Sequence, residues 1–294
     1  MFILIDIAYL IALPILILIA IISRINGHPR RRNLGERLGA GVTLAPHPKR
    51  VLLHAVSVGE VNSIRTLVPE LKENGYDVVI CVTTDTGLQR AVELFSDTHT
   101  VTRFPFDFSF SIRKLLTRIK PSVIGLVELE VWPNLIGMSS QRNIPVVVIN
   151  GRLSERSYKR YTLAKVILRN TFSRLTAIGM QSKEYADRVR SLGGNNVTIQ
   201  GTMKWDNVVL SDSVEGAQEL ARDLGIDLDK PLVVGGSTTQ EEHLLLRDSI
   251  PEDVQLLCAP RRTEWFDDAV KILAPCNRRT SRERCNTNHF VLDT

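Results

Sequence analysis

The stretch VLLHAVSVGE, at residues 51–60, contains the pattern that decides the fold. Residues 51–57 form a short, mostly apolar and β-branched run, which is typical of a strand buried in a parallel sheet. Gly59 breaks the run, and Glu60 begins an amphipathic pattern that predicts a helix over residues 60–74. A buried strand followed at once by an amphipathic helix is the repeating unit of an α/β protein.

The same unit recurs along the next 150 or so residues. Further strands are predicted over residues 77–84, 123–128, 145–150, 175–180 and 196–200. Helices are predicted over residues 87–96, 109–120 and 182–192. Repetition of strand, helix and strand predicts a doubly wound, Rossmann-like sheet with right-handed crossovers, and we assign this domain to residues 45–210.

A second series of elements follows the polar stretch at residues 211–216. Its helices are predicted over residues 217–224, 241–247 and 263–273, and its strands over residues 232–234, 254–259 and 290–292. Three strands are few for an independent sheet of this class. We therefore expect residues 211–294 to form a second Rossmann-like domain that is incomplete.

The first segment predicts a membrane anchor. Residues 2–22 are apolar apart from Asp6, Tyr9 and Pro14, and as a helix they would span about 30 Å, the hydrocarbon thickness of a bilayer. We assign residues 1–23 to a single transmembrane helix and residues 24–44 to a basic linker, with Asp6 near the outer interface, where a carboxylate is less costly than at the centre.

Charge sets the orientation of this anchor. The basic residues after the span are Arg24, Arg30, Arg31, Arg32 and Arg37, and none precedes it. The positive-inside rule then puts the α/β domains in the cytoplasm, at the inner membrane. A cleaved signal peptide is the alternative, but its basic residues would come first.

Composition narrows the functional classes. The chain has 294 residues, 44% of them hydrophobic, and a formal net charge of +5, which favours an anionic partner, either nucleic acid or an acidic membrane. The four cysteines form no CxxC pair and have no histidine at zinc-ligand spacing, so we expect a reducing compartment and no metal site. The sequence has no GxGxxG, P-loop or HExxH motif, which disfavours dehydrogenases, kinases and zinc proteases.

Polar side chains at the ends of predicted strands are the candidate site, because ligands of open α/β sheets bind beyond the carboxyl ends of the strands. Glu60 begins a helix, so it is either a capping charge or a general base that takes a proton from an acceptor hydroxyl. Alternation along the strand end predicts that the side chains of Glu128 and Glu130 lie on the same face. They are either paired catalytic carboxylates, or one of them only orients a substrate or caps the following helix. Lys204 follows the last predicted strand of the first domain. It either neutralises negative charge that develops during a reaction or lies at the solvated rim of an interdomain cleft.

Two further patterns have open interpretations. The stretch GGST at residues 235–238 lies between a strand and a helix, a geometry that suits an anion but is not specific. The predicted helix at residues 158–174 carries Lys159, Arg160, Lys165, Arg169 and Arg174 among apolar residues. It is either an ordinary solvated face or a contact for anionic headgroups or a phosphorylated lipid.

Several segments, taken in order, resemble the 3-deoxy-D-manno-octulosonic acid (Kdo) transferases of lipid A biosynthesis. Besides the N-terminal apolar run, they are RNLGERLG at residues 32–39, HAVSVGEV at 54–61, VTTDTG at 82–87, ELEVWPNLI at 128–136, NGRLSERS at 150–157, GTMKWD at 201–206 and APRRTEWF at 259–266. Each segment alone is only moderately specific, but coincidence in the order of all of them is remote.

The resemblance implies a GT-B fold and an inverting, metal-independent transfer of Kdo from CMP-Kdo to a lipid A precursor, with no cofactor and no nucleic acid. By motif, Glu60 resembles the base, and Glu130 and Lys204 resemble residues that stabilise the transition state. The implied donor-binding residues are Pro260, Arg261, Ser237 and Thr238, where an arginine fork suits phosphate. The implied acceptor or membrane residues are Arg152, Ser154, Lys159 and Arg160. No oligomeric state is indicated.

The chain also departs from the family pattern. Thr239 stands where the family usually has histidine, and Arg262 and Thr263 stand where it usually has His-Pro. A glycine-rich loop and an Asn-Pro-Leu-Glu segment that grip CMP in the family are absent, so we expect a truncated donor domain. The alternatives are a catalytically inactive, membrane-bound remnant that retains acidic-lipid binding, and another GT-B enzyme, such as a different sugar transferase or a nucleotide-sugar epimerase. The apolar first segment and ELEVWPN disfavour this other GT-B enzyme.

Overall fold

The structure is a computed structural model. It describes residues 2, 5–7, 9–10, 34–208, 211, 213–281 and 283–293. The chain divides into two compact units, Met1–Val208 and Val209–Thr294. Most of the predicted anchor and of the basic linker lies outside the described residues.

The first unit contains a seven-stranded parallel sheet. Its strands are β1 (Arg50–Ala55), β2 (Asp77–Val82), β3 (Thr100–Arg103), β4 (Val123–Val127), β5 (Val146–Gly151), β6 (Ala177–Met180) and β7 (Val197–Ile199). Their order is β3-β2-β1-β4-β5-β6-β7, with β1 in contact with β2 and β4. The strand order reverses at β1 and β4, and the loops beyond their carboxyl ends form the switch point at which ligands of such sheets bind.

Helices cover both faces of this sheet. The longer ones are Asp85–Phe95, Ser109–Ile119, Pro133–Gln141, Glu155–Leu163, Lys165–Phe172 and Lys183–Ser191, and the shorter ones are Leu34–Arg37, Val58–Ser63 and Leu67–Glu73. Their apolar residues and those of the strands form two clusters of buried side chains, one on each face of the sheet. Because β1, β2 and β4 are buried almost throughout, they read as continuous apolar runs in the sequence.

Three details of the first unit differ from the sequence prediction. The helix predicted over residues 60–74 is two helices, Val58–Ser63 and Leu67–Glu73, with buried Ile64 at the first C-terminus. The helix predicted over residues 158–174 is also two, which meet at Ala164. The strand β3 was not predicted, because it is a four-residue edge strand with little apolar patterning.

The second unit contains a four-stranded parallel sheet of order β10-β11-β9-β8. Its strands are β8 (Leu232–Thr238), β9 (Gln255–Pro260), β10 (Asn277–Arg278) and β11 (His289–Val291), and its helices are Ala217–Leu224, Gln240–Ser249 and Phe266–Ile272. The prediction of three strands was wrong, because the sheet has a fourth strand, β10. This strand was missed because it has only two residues and no apolar pattern. The edge strand β8 is largely exposed, with Leu232, Val233 and Val234 all open to solvent.

The described part of the N-terminal segment lies against the first unit. Asp6 Oδ1 accepts hydrogen bonds from the Ser109 N–H and Asn134 Nδ2, each at 2.9 Å, and Tyr9 donates to Asp107 Oδ2 at 3.0 Å. The expectation that Asp6 lies near the outer face of a bilayer is therefore wrong, because the carboxylate caps a helix of the α/β unit instead. Within the part of the chain that the structure describes, no helix combines the length and apolar character that a membrane crossing needs.

Candidate functional site

Glu60 lies at the carboxyl end of β1, in the first turn of the helix Val58–Ser63. Ser57 is the N-cap of this helix, and its hydroxyl accepts a hydrogen bond from the Glu60 N–H at 3.4 Å. The Glu60 carboxylate in turn accepts the Val56 N–H at 2.7 Å and the Ser57 hydroxyl at 3.0 Å. These reciprocal bonds resemble a capping box, and they hold the carboxylate in one orientation.

Burial governs the electrostatics of Glu60, whose residue surface is only 5% exposed. Burial raises the pKa of Glu60, the charge of Glu128 adds to this, and the hydrogen bonds from Val56 and Ser57 oppose it. A raised pKa makes a carboxylate a stronger proton acceptor. Two of its roughly four acceptor positions are occupied by these hydrogen bonds, which leaves about two for a substrate hydroxyl.

Glu128 and Glu130 follow the end of β4, but not as strand residues. β4 ends at Val127, and Glu128 and Leu129 have φ values of 63° and 146°. The argument from strand alternation was therefore wrong, because the backbone leaves the extended conformation before either carboxylate. Such angles are costly for side-chain-bearing residues and are typical of segments that the surrounding structure holds in place.

The carboxylates nevertheless interact. Burial, and to a smaller extent the charges of Glu60 and Glu128, together raise the pKa of Glu130 to about 7. The charge of Glu130 also contributes, after burial, to a raised pKa of Tyr161. Glu60 and Glu130, which lie far apart in the sequence, thus belong to one electrostatic cluster at the switch point. Near neutral pH, Glu130 is divided between its protonated and ionised forms.

Lys204 lies in the segment that follows β7, the last strand of the first sheet. It lies in the 3₁₀ helix Met203–Asn207, which packs near the helix Val58–Ser63. Lys204 and Gly59 line a depression of about 420 Å³, whose other lining residues are Asn62, Ser63, Arg65 and Arg90. The depression is therefore rich in cationic side chains, which suits an anionic substrate group. Gly59, the chain neighbour of Glu60, forms part of its wall.

A buried aromatic cluster near these residues was not predicted. His54, at 0% exposure, packs edge-on against Phe104 and Trp132, with ring centroids 4.1 and 5.7 Å away. Its Nε2 lies 3.0 Å from the Thr83 hydroxyl, and burial lowers the pKa of His54 to about 3. His54 therefore stays neutral and packs against Trp132, the N-cap residue of the helix Pro133–Gln141. The HAVSVGE motif included this histidine, but its role depends on contacts with β3 and β4.

A second unpredicted feature is the buried carboxylate of Asp107. It accepts hydrogen bonds from the backbone N–H groups of Asn134 and Leu135, each at 2.9 Å, and so caps the helix Pro133–Gln141. Burial raises the pKa of Asp107 to about 7, although these hydrogen bonds oppose the rise. This cap fixes the helix that begins directly after the Glu128–Trp132 turn. It is a structural support rather than a part of the carboxylate cluster.

The four predicted donor residues meet in the second unit. Thr238, at the end of β8, is paired in register with Pro260 of β9, and the Arg261 N–H donates to the Thr238 carbonyl at 3.0 Å. Ser237 and Arg261 are exposed, whereas the Thr238 hydroxyl is buried against His243 Nε2 at 2.8 Å. Ser237 has φ of 60°, which turns the chain towards the next helix.

The following helix, Gln240–Ser249, is less suited to an anion than the sequence indicated. Thr239 and Glu242 form a capping box, in which the Glu242 carboxylate accepts the Thr239 N–H at 2.7 Å. Glu241 and Glu242 also put two negative charges in the first turn. The exposed Arg261 is thus the feature of this loop pair that suits a phosphate.

The predicted acceptor or membrane residues lie in the loop after β5, which holds Arg152 and Ser154, and on the first of the two helices that follow it, Glu155–Leu163, which holds Lys159 and Arg160. Ser154 caps the helix Glu155–Leu163 by accepting the Ser157 N–H at 3.3 Å, so its hydroxyl serves a local role. Arg152, Lys159 and Arg160 are exposed, and Lys159 pairs with Glu155 at 2.7 Å. Where the two helices meet, Leu163 and Val166 are 91% and 93% exposed. An apolar tip surrounded by cations suits an anionic lipid surface.

The two units, with parallel sheets and polar residues at the carboxyl ends of their strands, define a GT-B-like α/β protein. The UDP-GlcNAc 2-epimerase of Neisseria meningitidis, solved with UDP-GlcNAc, has a similar fold, with a TM-score of 0.53 at 12% identity over 83% of this chain and 72% of that chain. Identity this low shows the fold and not the activity. Among the described residues, no group of three or more His, Cys, Asp and Glu side chains is arranged to hold a metal ion.

Sequence comparison identifies the family. Residues 32–207 match the family model described as 3-deoxy-D-manno-octulosonic-acid transferase (kdotransferase), and the chain belongs to this glycosyltransferase family. A 3-deoxy-D-manno-octulosonic acid transferase of Haemophilus influenzae is 30% identical over 96% of this chain and 69% of its own length. One of Bordetella pertussis is 28% identical over 80% of this chain and 58% of its own length.

Proposed function

We propose that the protein transfers Kdo from CMP-Kdo to a hydroxyl of a lipid A precursor, with inversion at the anomeric carbon. Family membership supports the glycosyl transfer. The observation that carries the proposal is the cluster at the switch point of the first sheet, where Glu60 and Glu130 interact and Lys204 lines a depression together with Gly59, the chain neighbour of Glu60.

Glu60 acts as the base in this proposal. As the acceptor oxygen bonds to the anomeric carbon, the hydroxyl proton passes to the Glu60 carboxylate, and the bond from that carbon to the CMP phosphate breaks. CMP leaves with the electron pair, so atoms and charge balance without a metal. The fixed orientation and raised pKa of Glu60 both favour proton acceptance.

Glu130 and Lys204 stabilise the charges that develop in this displacement. The Lys204 ammonium compensates negative charge on the leaving phosphate or on the carboxylate of the sugar. Glu130, whose pKa is about 7, donates a hydrogen bond when protonated and stabilises positive charge on the sugar ring when ionised. Both effects act at a partly desolvated site, where they are stronger than in water.

The donor nucleotide is assigned to the second unit. Arg261 forms charge-assisted hydrogen bonds with a phosphate of CMP-Kdo, and Ser237 and Thr238 shape the loop opposite Pro260. The Thr238 hydroxyl is committed to His243, so its contribution is to hold the loop.

We also propose that the protein works at the cytoplasmic face of the inner membrane, where a lipid-borne acceptor is found. The apolar stretch at residues 2–22 supports membrane association, and the basic linker supports a cytoplasmic orientation. The exposed cationic side chains around Leu163 and Val166 support a contact with anionic headgroups.

The test is release of CMP from CMP-Kdo by the full chain, with a lipid A precursor in detergent. Glu60→Gln should lower kcat by about 100- to 10,000-fold, the usual contribution of a general base. Glu73→Gln, which changes an exposed glutamate at the end of a nearby helix, is the control and should transfer Kdo at the wild-type rate. Transfer by Glu60→Gln at the wild-type rate would exclude Glu60 as the base. Absence of transfer by the wild-type chain, with lipid binding retained, would favour a non-catalytic membrane-binding protein.

A further inference from the structure

Asn150 connects the end of β5 with the segment that carries Lys204. It is 2% exposed and has φ of 54°, a left-handed conformation that asparagine tolerates better than most residues. The pairing of β5 with β6 shifts register between Val148 and Gly151, so the chain is irregular at this point. In that conformation the Asn150 Oδ1 accepts a hydrogen bond from the Met203 N–H at 3.1 Å.

A second side chain holds Asn150 in this orientation. Gln181 Nε2 donates to the Asn150 backbone carbonyl at 2.9 Å and to Asn150 Oδ1 at 3.1 Å. The Met203 N–H is a donor and the Asn150 carbonyl is an acceptor, so the orientation of each amide is fixed without ambiguity. Asn150 Nδ2 has no hydrogen-bond partner among the described residues. Asn150 Oδ1 is therefore the atom of the side-chain amide that accepts hydrogen bonds from Gln181 and Met203.

Lys204 itself is exposed, and a lysine side chain has a flexible four-carbon stem. Its position therefore depends on where its backbone is held. Among the described residues, hydrogen bonds to this backbone include the one from the Met203 N–H to Asn150 Oδ1 and the one from the Lys204 N–H to the Thr202 hydroxyl at 3.3 Å. The bond to Asn150 ties this segment to the central sheet, whereas the bond to Thr202 is within the segment.

We propose that Asn150, held by Gln181, is a positioning residue that keeps the Lys204 ammonium at the depression that Gly59 and Arg90 also line. This inference rests on the proposed transfer reaction for its catalytic consequence, but the contact itself can be tested separately. Asn150 touches neither Glu60 nor the proposed reacting atoms; it acts through the backbone of Met203.

Hydrogen exchange of the full chain tests the contact. Asn150→Gly removes the acceptor and still adopts a positive φ, since glycine does so readily. It should speed exchange of the Met203 amide about tenfold or more, as expected when one hydrogen bond of about 1.4 kcal/mol is lost. Asn150→Asp keeps an acceptor oxygen and should preserve the protection. Asn143→Gly, at an exposed left-handed asparagine, is the control and should leave this segment unchanged.

Kinetics then test the consequence. Asn150→Gly should lower kcat about 10- to 100-fold with an unchanged KM for the donor, as expected for a misplaced catalytic group. In a Lys204→Ala background, Asn150→Gly should cause no further loss, because the group that it positions is gone. Unchanged exchange at Met203, or an equal kinetic loss in both backgrounds, would overturn the inference. A wild-type chain that transfers no Kdo would refute the proposed function and the kinetic consequence proposed for Asn150, while the exchange result would still decide the contact.

Discussion

The protonation of Glu130 makes a stability prediction that does not require a substrate. The substitution is Glu130→Gln, which has the same shape and cannot ionise. Because the pKa of Glu130 is raised from 4.5 to about 7, the folded protein binds a proton more tightly than the unfolded chain does. The wild-type protein therefore loses stability as the pH rises from about 4.5 to about 7, and it does not recover above that range. The glutamine variant lacks this loss.

The size of the effect follows from the shift. A rise from 4.5 to about 7 corresponds to about 3 kcal/mol at pH values above both, since each pKa unit is worth about 1.4 kcal/mol. Glu130 is only partly buried, so solvent screening reduces this upper figure. We expect Glu130→Gln to be about 1–3 kcal/mol more stable than the wild type near pH 8, and to differ little from it near pH 4.5.

Urea unfolding followed by tryptophan fluorescence measures this difference, because Trp132 lies two residues after Glu130 and packs against the buried His54 of the same unit. Glu73→Gln is the matched control, since Glu73 is exposed on the same unit and its substitution should have no pH-dependent effect. An equal gain at both pH values would mean that the glutamine acts through packing and not through charge. No gain near pH 8 would mean that Glu130 is not strained by burial and by its carboxylate neighbours, and the description of the cluster would be wrong.

Two other predictions concern stability and lipid binding. The buried Arg50 side chain donates to Asp77 at 2.6 Å and to the carbonyls of Ala45 and Ile119 at 2.7 and 2.6 Å. Arg50→Met should therefore lower the free energy of unfolding in urea by about 2–5 kcal/mol, because it leaves these groups without their donor. A loss under about 0.5 kcal/mol would contradict this prediction. Changing Lys159, Arg160 and Lys165 together to glutamate should weaken binding of a protein lacking residues 1–23 to vesicles that contain anionic lipid, because each cation contributes about 1 kcal/mol near such a surface. Equal binding of this variant and its parent would identify the basic helices as an ordinary solvated face.

The succession of elements was predictable because its signals are local. The strands β1, β2 and β4 are buried on both faces, so each appears as a short apolar run. The helix predicted to begin at Ser182 has this serine as its N-cap, because its hydroxyl accepts a backbone N–H of the first turn. Such signals depend on neighbours within a few residues and need no knowledge of the tertiary structure.

The errors have the opposite cause. The alternation argument for Glu128 and Glu130 failed because the chain turns at two residues of positive φ, and nothing in the local sequence announces that turn. Asp6 was interpreted as part of a continuous apolar span, but it caps a helix that begins at Ser109, more than a hundred residues later. Short edge strands such as β3 and β10 depend on pairing with a neighbour rather than on their own composition.

The amino-acid sequence by itself determined the parallel α/β architecture and the order of the motifs that identify the family. Periodicity, helix caps and motifs each depend on residues that lie close together in the chain. Only the tertiary structure decided that Glu60 and Glu130 share one electrostatic environment, that the pKa of Glu130 is near 7, and that Asn150 holds the backbone beside Lys204. Burial and charge interactions arise between segments that the fold brings together from distant parts of the chain, so no local pattern contains them.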